Sequence, residues 1–498
     1  MSQKFRLDKA GYINRNKKIS FKFNGKKYFG YDGDTLASAL LANGVHLVGR
    51  SFKYHRPRGF VGAGVDEPNA HVQLYNGAKT EPNAMATSIE LVEGLVATSQ
   101  NCWPSVSFDF GAVNNLLNKF FPAGFYYKTF MWPKNFWYKI YEPFIRKAAG
   151  LGVAPLKPDP DRYEHKFEYC DILVAGSGPS GLSTALAAAK NGARVILAEE
   201  KPRFGGSLLS DEVTIGNKNG KDWADESIAQ LKSMPNVIVK NRSQIFGYYD
   251  HNMMVMVEKT KDHIESSSKF TPRQKLWYIR AKEVVISTGS IERPLVFANN
   301  DRPGIMLASA AKEYMKVYGV LVGRKPIVFT NNDSGYDCAI EFKKNGIDPI
   351  VLDTRKDPNS EIIKEAKDLN INIKPSYVVV AAKGYKKVSS ADIAKISDDK
   401  KNISNIENIK CDCICVSGFW TPTIHLASQS GNKTKFNEEI DAFIPSKSKQ
   451  KETTLGSANG IFTLEDTLKT SFEKGNELSK KITNKENKVS VPTVVEKK

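Results

Sequence analysis

The sequence predicts an α/β protein in which a small β-grasp domain precedes two consecutive Rossmann-type units. Three observations lead to this prediction. A hairpin and a helix open the chain, a glycine-rich strand–turn–helix unit occupies 171–199, and a second strand–turn–helix unit begins at Pro326. Because a chain of 498 residues is too long for one hydrophobic core, we expect about three domains.

The first element is a hairpin followed by one helix, as at the start of a β-grasp domain. Apolar residues alternate over 19–31 around Asn24-Gly25, the strongest short hairpin signal. Asp34-Thr35 then caps a helix over 36–42, and Asn43-Gly44 ends it. Plant-type ferredoxins combine these elements in the same order.

Ferredoxins follow that helix with a cysteine-rich loop, whose thiolates hold a [2Fe–2S] cluster. In this chain no cysteine precedes Cys102. We therefore predict a ferredoxin-like domain without a cluster over 1–105, which serves as a scaffold or docking module.

An aromatic-rich connector is predicted over 106–165. Nearly half of the residues in 120–144 are aromatic, while prolines and lysines interrupt any helix. This segment could cover neighbouring domains, form a subunit interface, where aromatic residues are enriched, or lie on a membrane. The proline-rich stretch 150–162 is predicted to be a linker.

The strongest functional signal is a Gly-x-Gly-x-x-Gly motif directly after the apolar strand 172–175. Gly176 allows the tight turn, Gly178 lets the backbone approach a pyrophosphate, and Gly181 lets the helix pack closely on the strand. The helix N-terminus then offers N–H groups to the phosphates. Glu199, at the end of the second strand, can accept hydrogen bonds from a ribose 2′-OH. Together these features predict a dinucleotide site.

Further candidate residues extend this site. A Gly-Gly pair shortly after the ribose acid is typical of flavoprotein-type domains, and a Thr-Gly turn after strand 284–286 closes over the first cofactor in such enzymes. The candidate cofactor-binding residues are Gly176, Ser177, Gly178, Pro179, Ser180, Gly181, Glu199, Glu200, Gly205, Gly206, Ser207, Thr288, Gly289 and Gly456. Loop chemistry alone does not distinguish NAD from FAD, because both carry the same pyrophosphate.

The second unit has the strands and helix of a Rossmann fold but not its phosphate loop. Asn331, Asn332 and Asp333 stand where glycines are expected, and only Gly335 remains. Their side chains would block a pyrophosphate, so we expect this unit to have kept its fold and lost its nucleotide. The predicted limits are 1–105 for the β-grasp domain, 106–165 for the connector, 166–300 with 440–480 for the first dinucleotide-binding domain, 301–439 for the second, degenerate domain, and 481–498 for a disordered tail.

Composition narrows the function classes further. The net charge is +18, but lysine far outnumbers arginine and is scattered, which argues against nucleic-acid binding. No uninterrupted apolar stretch approaches the roughly 18 residues of a membrane helix, and no signal peptide is visible, so we expect a cytoplasmic protein. The run Cys411-Asp-Cys413-Ile-Cys415 predicts a buried strand with its thiols on one face, in preference to a metal or redox site.

Several stretches, taken together, resemble the α subunits of heterotetrameric sarcosine oxidases. They span nearly the whole chain, and the first and the fifth are specific to that family. The matching stretches are Gly49-Arg-Ser-Phe-Lys-Tyr-His-Arg-Pro-Arg-Gly59, Gln100–Ser105, Val174–Gly181, Asn299–Gly304, Thr330-Asn-Asn-Asp-Ser334, Ser417–Leu426 and Gly456–Gly460.

The resemblance implies an NAD site at the residues that match Gly176, Gly178, Gly181 and Glu199, with FAD as the alternative occupant. It implies a partner β subunit that carries FAD and oxidises the amine, an FMN shared with that β subunit, and further γ and δ subunits. Sarcosine would be oxidised to glycine, with oxygen reduced to hydrogen peroxide, and with formaldehyde or methylenetetrahydrofolate as the one-carbon product. No catalytic residue is therefore predicted on this chain.

Two departures from the family pattern stand out. Family α subunits are about twice as long, and their C-terminal half resembles an aminomethyltransferase that binds folate. That half is a separate polypeptide here, has been truncated, or is dispensable. Phe419 also stands where the family favours a second glycine after Ser417-Gly418.

Alternative functions remain open. The chain could be a free-standing NAD(P)H-dependent FAD oxidoreductase, a subunit of an amine or opine dehydrogenase, or a scaffold with an empty Rossmann fold. The lack of a C-x-x-C or C-x4-C redox pair after the first domain argues against a disulfide reductase. His55, Arg56 and Arg58 could form a docking patch, a contact to a partner's cofactor, or a satisfied surface cluster.

Overall fold

The structure, a computed structural model, describes residues 3–122, 124, 129–264, 268, 270–485 and 489–496. Two compact units make up the chain, and each is built from two separate segments. Unit 1 contains Met1–Pro160 and Pro294–Gly418, and unit 2 contains Asp161–Arg293 and Phe419–Lys498. The unit boundaries at 293/294 and 418/419 do not test the predicted domain limits at 300 and 440, which stay predictions.

Unit 1 begins with the predicted hairpin and helix. The hairpin turns at Asn24-Gly25, since Phe23 pairs with Lys26, and Thr35 Oγ1 accepts a hydrogen bond from Ser38 N in a capping box, so both predictions are confirmed. The elements are β1 (Asn14–Phe23), β2 (Lys26–Asp32), helix α1 (Leu36–Ala42), β3 (Gly49–Arg50), β4 (Pro57–Arg58), β5 (His71–Leu74), β6 (Glu81–Met85) and β7 (Val96–Ser99). Five strands form a sheet in the order β2-β1-β7-β5-β6, and β3 pairs with β4.

The connector contains short helices, α2 (Val113–Leu116) and α3 (Glu142–Ala149), with a π-helical turn at Trp137–Tyr141 between them. Several of its described aromatic side chains are exposed; Trp132 and Tyr138 are each 82% exposed. Residues 123 and 125–128 of this segment lie outside the described residues. The three interpretations of the connector remain open.

His55 is buried, so the interpretation of residues 55–58 as a surface cluster is wrong for this residue. Its Nδ1 lies 2.7 Å from Asp109 Oδ2, and its Nε2 lies 3.1 Å from the carbonyl oxygen of Ala148. This pairing could not be predicted from the sequence, because His55, Asp109 and Ala148 are far apart in the chain.

Unit 2 begins with a long strand that ends at the glycine motif. The elements are β8 (Tyr163–Ala175), helix α4 (Pro179–Lys190), β9 (Val195–Ala198), β10 (Thr214–Ile215), β11 (Lys218–Asn219), helix α5 (Gly220–Ser233), β12 (Val237–Lys240), β13 (Ser243–Tyr249), β14 (Met253–Lys259), β15 (Gln274–Ile286) and β16 (Ser290–Glu292). Strands β12, β9, β8 and β15 are parallel, and β14 and β13 continue the sheet antiparallel.

The chain then returns to unit 1 and forms the second Rossmann-like sheet, which the sequence also predicted. The elements are β17 (Ile305–Leu307), helix α6 (Ala308–Tyr318), β18 (Pro326–Thr330), helix α7 (Ser334–Lys344), β19 (Ile350–Asp353), helix α8 (Glu361–Asp368), β20 (Asn372–Pro375), β21 (Tyr377–Lys383), β22 (Ser390–Lys395), β23 (Glu407–Lys410) and β24 (Cys413–Ser417). The parallel order is β17-β24-β18-β19-β20, and β21, β22 and β23 form an antiparallel sheet.

The cysteine run lies in a buried strand, as predicted, but its three thiols do not share one face. Asp412 accepts hydrogen bonds from the backbone N–H groups of Arg324 and Lys325, so the strand begins only at Cys413. Cys411 packs in a cluster with alternate residues of the strand, while Cys415 lies beside Cys413 and a further cysteine of helix α7. The prediction of a single face is therefore wrong.

The last segment completes unit 2. The elements are β25 (Trp420–Pro422), helix α9 (His425–Gln429), β26 (Thr434–Asn437), β27 (Ala442–Pro445), β28 (Glu452–Thr454), helix α10 (Leu464–Thr483) and β29 (Val494–Val495). Strand β28 adds to the parallel sheet beside β15, and β16 pairs with β25. Apolar clusters cover both faces of the sheet, with helices α4, α5 and α10 on one side.

The segment predicted as a disordered tail, 481–498, differs in the structure. Helix α10 continues to Thr483, and β29 pairs with β10 in a small antiparallel sheet. Val489 and Val494 pack against the core of unit 2, which supplies the apolar contacts that composition alone did not indicate. Residues 486–488 and 497–498 lie outside the described residues.

Candidate functional site

The glycine motif forms a tight loop between strand β8 and helix α4. Gly176 has φ +99°, and a side chain there would meet the carbonyl oxygen of Ser287 at 2.4 Å. At Gly181 a Cβ would lie 1.9 Å from the carbonyl oxygen of Gly176, so the helix can pack this closely only on glycine. These two glycines are therefore required by the protein's own packing.

Gly178 behaves differently. Its φ of −67° and ψ of −173° suit any residue, and a Cβ built there meets no atom of the protein within 4 Å. The fold alone therefore does not demand glycine at this position. The open space in front of Gly178, at the N-terminus of helix α4, is where a pyrophosphate would approach the backbone.

Glu199 is buried at the end of β9 and is fixed by the loop itself. Its Oε2 accepts hydrogen bonds from Ser177 N, at 2.9 Å, and from Ser177 Oγ, at 2.6 Å. Its Oε1 accepts one from Lys201 N at 2.9 Å. A carboxylate offers about four acceptor positions, so one on Oε1 remains for a ribose hydroxyl.

The Gly-Gly pair lies directly against the loop. Gly205 N donates to the carbonyl oxygen of Ser177 at 3.1 Å, and Gly206 is so close to Gly178 that a Cβ on Gly206 would lie 2.9 Å from the Gly178 Cα. Both have positive φ, +117° and +56°. Ser207 lies in the short 3-10 helix Gly206–Leu209, and Glu200 is exposed beside Glu199.

The remaining candidates, Thr288, Gly289 and Gly456, come from other segments of the same unit. Thr288 Oγ1 donates to the carbonyl oxygen of Thr423, and the carbonyl oxygen of Gly289 accepts from Thr423 N at 3.0 Å. Gly456 lies against the first turn of helix α4, because a Cβ there would meet Ser180 Cβ at 2.9 Å. All fourteen candidate residues thus belong to unit 2; their role in binding remains a prediction.

Sequence reasoning missed the residues that support the loop. Ser287 donates through Oγ to the carbonyl oxygens of Ala175 and Gly176, at 2.8 and 3.0 Å, and so ties β15 to the turn. Ser180 Oγ is hydrogen-bonded to Ser471 Oγ of helix α10 at 2.8 Å. The only available signal was the position of Ser287, immediately before the predicted Thr-Gly turn.

In the second unit the corresponding loop is filled by its own side chains. Asn332 Oδ1 accepts from Ser334 N, at 2.9 Å, and its Nδ2 donates to the carbonyl oxygen of Ser417 at 3.1 Å. Arg355 forms ion pairs with Asp333, at 2.7 Å, and with Asp353, at 2.8 Å. The acidic residue that ends β19 is therefore already neutralised.

The N-terminal region and the Rossmann-type region each match a known protein family. Residues 170–450 match the pyridine nucleotide-disulphide oxidoreductase family, and residues 16–102 match the 2Fe-2S iron-sulfur cluster binding domain. The predicted fold class is thus confirmed. No helix of the described part of the chain is long and apolar enough to cross a membrane.

The ferredoxin-like domain does not fit an iron–sulfur cluster. Such clusters are held by four cysteine thiolates, whereas residues 16–102 contain only Cys102. Among the described residues, no three histidine, cysteine, aspartate or glutamate side chains are grouped so that they could hold a metal ion.

Two curated relatives belong to the family that the sequence motifs resemble. The chain is 46% identical over 456 residues to a sarcosine oxidase subunit alpha of Rhizobium meliloti, covering 91% of this chain and 45% of the relative. It is 31% identical over 465 residues to that of Corynebacterium sp. strain U-96, covering 92% and 43%. The predicted resemblance is confirmed, and the chain spans about half the length of these relatives.

A solved structure shares the fold. The crystal structure of L-proline dehydrogenase from P. horikoshii superposes with a TM-score of 0.63 at 20% identity, covering 97% of this chain and 75% of that one. At this identity the likeness concerns the fold alone.

Proposed function

Because the chain belongs to the pyridine nucleotide-disulphide oxidoreductase family, we propose that it is the nucleotide-binding α subunit of a sarcosine oxidase-type complex. The complex would oxidise sarcosine to glycine, reduce oxygen to hydrogen peroxide, and release formaldehyde or pass the carbon to tetrahydrofolate. The similarity to sarcosine oxidase α subunits over 91% of the chain supports this proposal.

The observation that carries the proposal is the open loop at Gly178. Glycine is not required there by packing, yet the space in front of it is free, and the adjacent helix N-terminus presents its N–H groups. The residues present therefore fit a dinucleotide. Glu199, held by two backbone N–H groups, would orient the adenosine ribose through its remaining acceptor position.

Membership of the family implies FAD and nucleotide binding; the specific occupant is part of the proposal. We assign NAD to this loop, with FAD as the alternative, and a shared FMN to the boundary with a β subunit. A dinucleotide supplies hydride or electron transfer when it is bound. The contribution of this chain would be to hold its diphosphate and ribose, while a partner subunit oxidises the amine.

The decisive experiment is to purify the chain alone and co-purified with its β, γ and δ-like partners, and to identify the released nucleotide by mass. NAD without a flavin spectrum in the isolated chain supports the proposal. FAD that is reduced by NADPH in the isolated chain supports the free-standing oxidoreductase instead. A chain without nucleotide in the active complex would contradict both.

The matched pair of variants is Gly178→Val in the first loop and Asn331→Val in the second. Asn331 is exposed and lies in the equivalent loop of unit 1. We expect Gly178→Val to lose the nucleotide and Asn331→Val to retain it. Equal retention by both variants would show that the nucleotide binds elsewhere.

A further inference from the structure

Two of the stretches that carry the family resemblance, 49–59 and 299–304, meet around a small cavity of unit 1 that the proposed function does not use. The cavity has a volume of about 100 Å³. It is lined by Arg56, Pro57, Asn115, Asp301, Arg302, Gly384 and Tyr385. None of these residues belongs to the dinucleotide loop, which lies in unit 2.

Arg56, on the wall of the cavity, and Arg58, which does not line it, share one carboxylate. Arg56 donates through Nε and Nη2 to the two carboxylate oxygens of Asp301, both at 2.7 Å, and Arg58 Nη1 also donates to Asp301. Burial opposes ionisation of Asp301, but the hydrogen bonds from Arg56 and the charge of Arg58 outweigh it and lower the pKa of this carboxyl. Asp301 thus neutralises only one of the two guanidinium groups.

Arg302 adds a third guanidinium group, whose nearby counter-charge is the same Asp301 that the other two arginines share. Among the described residues its side chain has no hydrogen-bond or ion-pair partner, and its Nε is buried and unsatisfied. Burial and the neighbouring positive charge of Arg56 lower the pKa of Arg302. A half-buried cation beside a like charge is costly unless an anion compensates it.

We propose that this cavity binds a phosphoryl group, either as free phosphate or on a phosphate monoester. Arg56 and Arg302 line the cavity with one carboxylate, Asp301, which is also paired with Arg58. The group as a whole carries an excess of two positive charges, which matches a phosphate dianion. Arginine is suited to this role, since its planar fork bonds phosphate oxygens in pairs.

The size and the other lining groups agree with this ligand. A volume of about 100 Å³ is enough for one tetrahedral oxyanion, since a single enclosed water needs only about 10–15 Å³. Asn115 adds an amide donor to the wall. Tyr385 is exposed at the rim, so the remainder of a monoester would extend into solvent on that side.

The test uses calorimetric titration of the full chain with orthophosphate and with AMP, adenosine being the control without a phosphoryl group. The titrations are made in Gly178→Val protein, so that AMP does not occupy the dinucleotide loop. We expect a Kd of about 1 mM or tighter at low ionic strength, which weakens as sodium chloride is added. Tighter binding of AMP than of orthophosphate identifies a monoester as the ligand, and equal binding identifies free phosphate.

Arg302→Gln is the test variant, because the Arg302 side chain has no hydrogen-bond or ion-pair partner in the described part of the chain, so its loss should leave the fold intact. We expect it to weaken phosphate binding at least about tenfold, the effect of losing one charged hydrogen bond. Arg280→Gln, which removes an exposed arginine of unit 2, should leave it unchanged.

Two results would overturn the proposal: no binding of orthophosphate or AMP well above that Kd, or equal affinity in the Arg302→Gln protein and its parent. Both outcomes are independent of the proposed function, which is tested by nucleotide retention in unit 2. A chain that loses its dinucleotide in Gly178→Val but still binds phosphate supports both proposals.

Discussion

The Gly178→Val substitution separates ligand binding from folding more cleanly than any other change in the loop. Most loop glycines serve the protein itself, as Gly176 and Gly181 do through positive φ or close packing. At Gly178 the backbone is extended and a side chain meets no protein atom. Valine there should therefore fold normally and obstruct only a ligand.

The expected magnitudes follow from these contacts. Because Gly178 has ordinary φ and ψ, replacing glycine should leave the stability of the ligand-free chain unchanged or raise it by about 0.4–1 kcal/mol, through a less flexible unfolded state. Blocking the diphosphate removes about two charged hydrogen bonds, worth about 1.5–3 kcal/mol each. The dinucleotide should then bind about two to four orders of magnitude more weakly.

The assay compares three proteins by nucleotide content after gel filtration and by urea unfolding of the nucleotide-free chain. Wild type should retain dinucleotide, Gly178→Val should retain almost none with an unchanged unfolding midpoint, and Gly181→Val should be destabilised, since its side chain would collide with Gly176. Full retention in Gly178→Val, or unfolding of that variant alone, would refute the assignment of the open space to the diphosphate.

Other predictions test the groups around the loop and the buried residues of both units. Glu199→Gln should weaken dinucleotide binding about tenfold or more, measured by equilibrium dialysis, because one amide end would face a backbone N–H of Ser177 or Lys201; unchanged affinity would exclude the ribose role. His55→Ala should lower the free energy of unfolding by about 1–3 kcal/mol, since it leaves Asp109 Oδ2 buried without its hydrogen-bond partner, while Oδ1 still accepts from two backbone N–H groups. Asp109→Asn should cost less because Asn can donate to His55 Nδ1; equal costs in urea unfolding would contradict this. Burial raises the pKa of the Cys102 thiol to about 11 and of Cys170 and Cys411 to about 12, so a thiol reagent at pH 8 should react slowly with them in the folded chain and rapidly after unfolding. As the pH rises from about 9 towards 11–12, these thiols ionise in the unfolded chain before they ionise in the folded one. The free energy of unfolding should therefore fall over this pH range, which alkaline unfolding would measure.

Much of the fold could be predicted because its signals are local. Asn24-Gly25 sets the first hairpin, Thr35 caps the first helix, and the glycine motif defines a strand–turn–helix unit, so each prediction needed only neighbouring residues. The structure agrees with all three. The candidate site shares this property, because Gly176–Gly181 and the end of the next strand lie within one short segment.

The failures concern contacts between distant parts of the chain. The segment 481–498 has no apolar pattern of its own, and Val494–Val495 becomes a strand only because Thr214–Ile215 offers a free edge. Likewise, Cys411 lies outside the strand of the other two cysteines because Asp412 accepts hydrogen bonds from the backbone N–H groups of Arg324 and Lys325. No composition or periodicity argument contains these partners.

The two Rossmann units show how the same backbone can either hold a nucleotide or exclude it. Gly335 plays the packing role of Gly181, since a Cβ there would meet Thr330 at 2.6 Å, so the close helix–strand approach is retained in the second unit. The N–H of Ser334, which would face a phosphate, instead bonds to Asn332 Oδ1.

A dinucleotide in the second loop would have to break the hydrogen bond between Ser334 N and Asn332 Oδ1 and displace the ion pair between Arg355 and Asp333. It would find no free carboxylate for its ribose, because Asp353 is paired with Arg355 and accepts from Tyr336 OH. Each lost interaction opposes binding, and the negative charge of Asp333 would repel the diphosphate once its partner moved. For this reason we expect one dinucleotide per chain, held in unit 2, and we expect Asn332→Gly alone to leave the second loop closed.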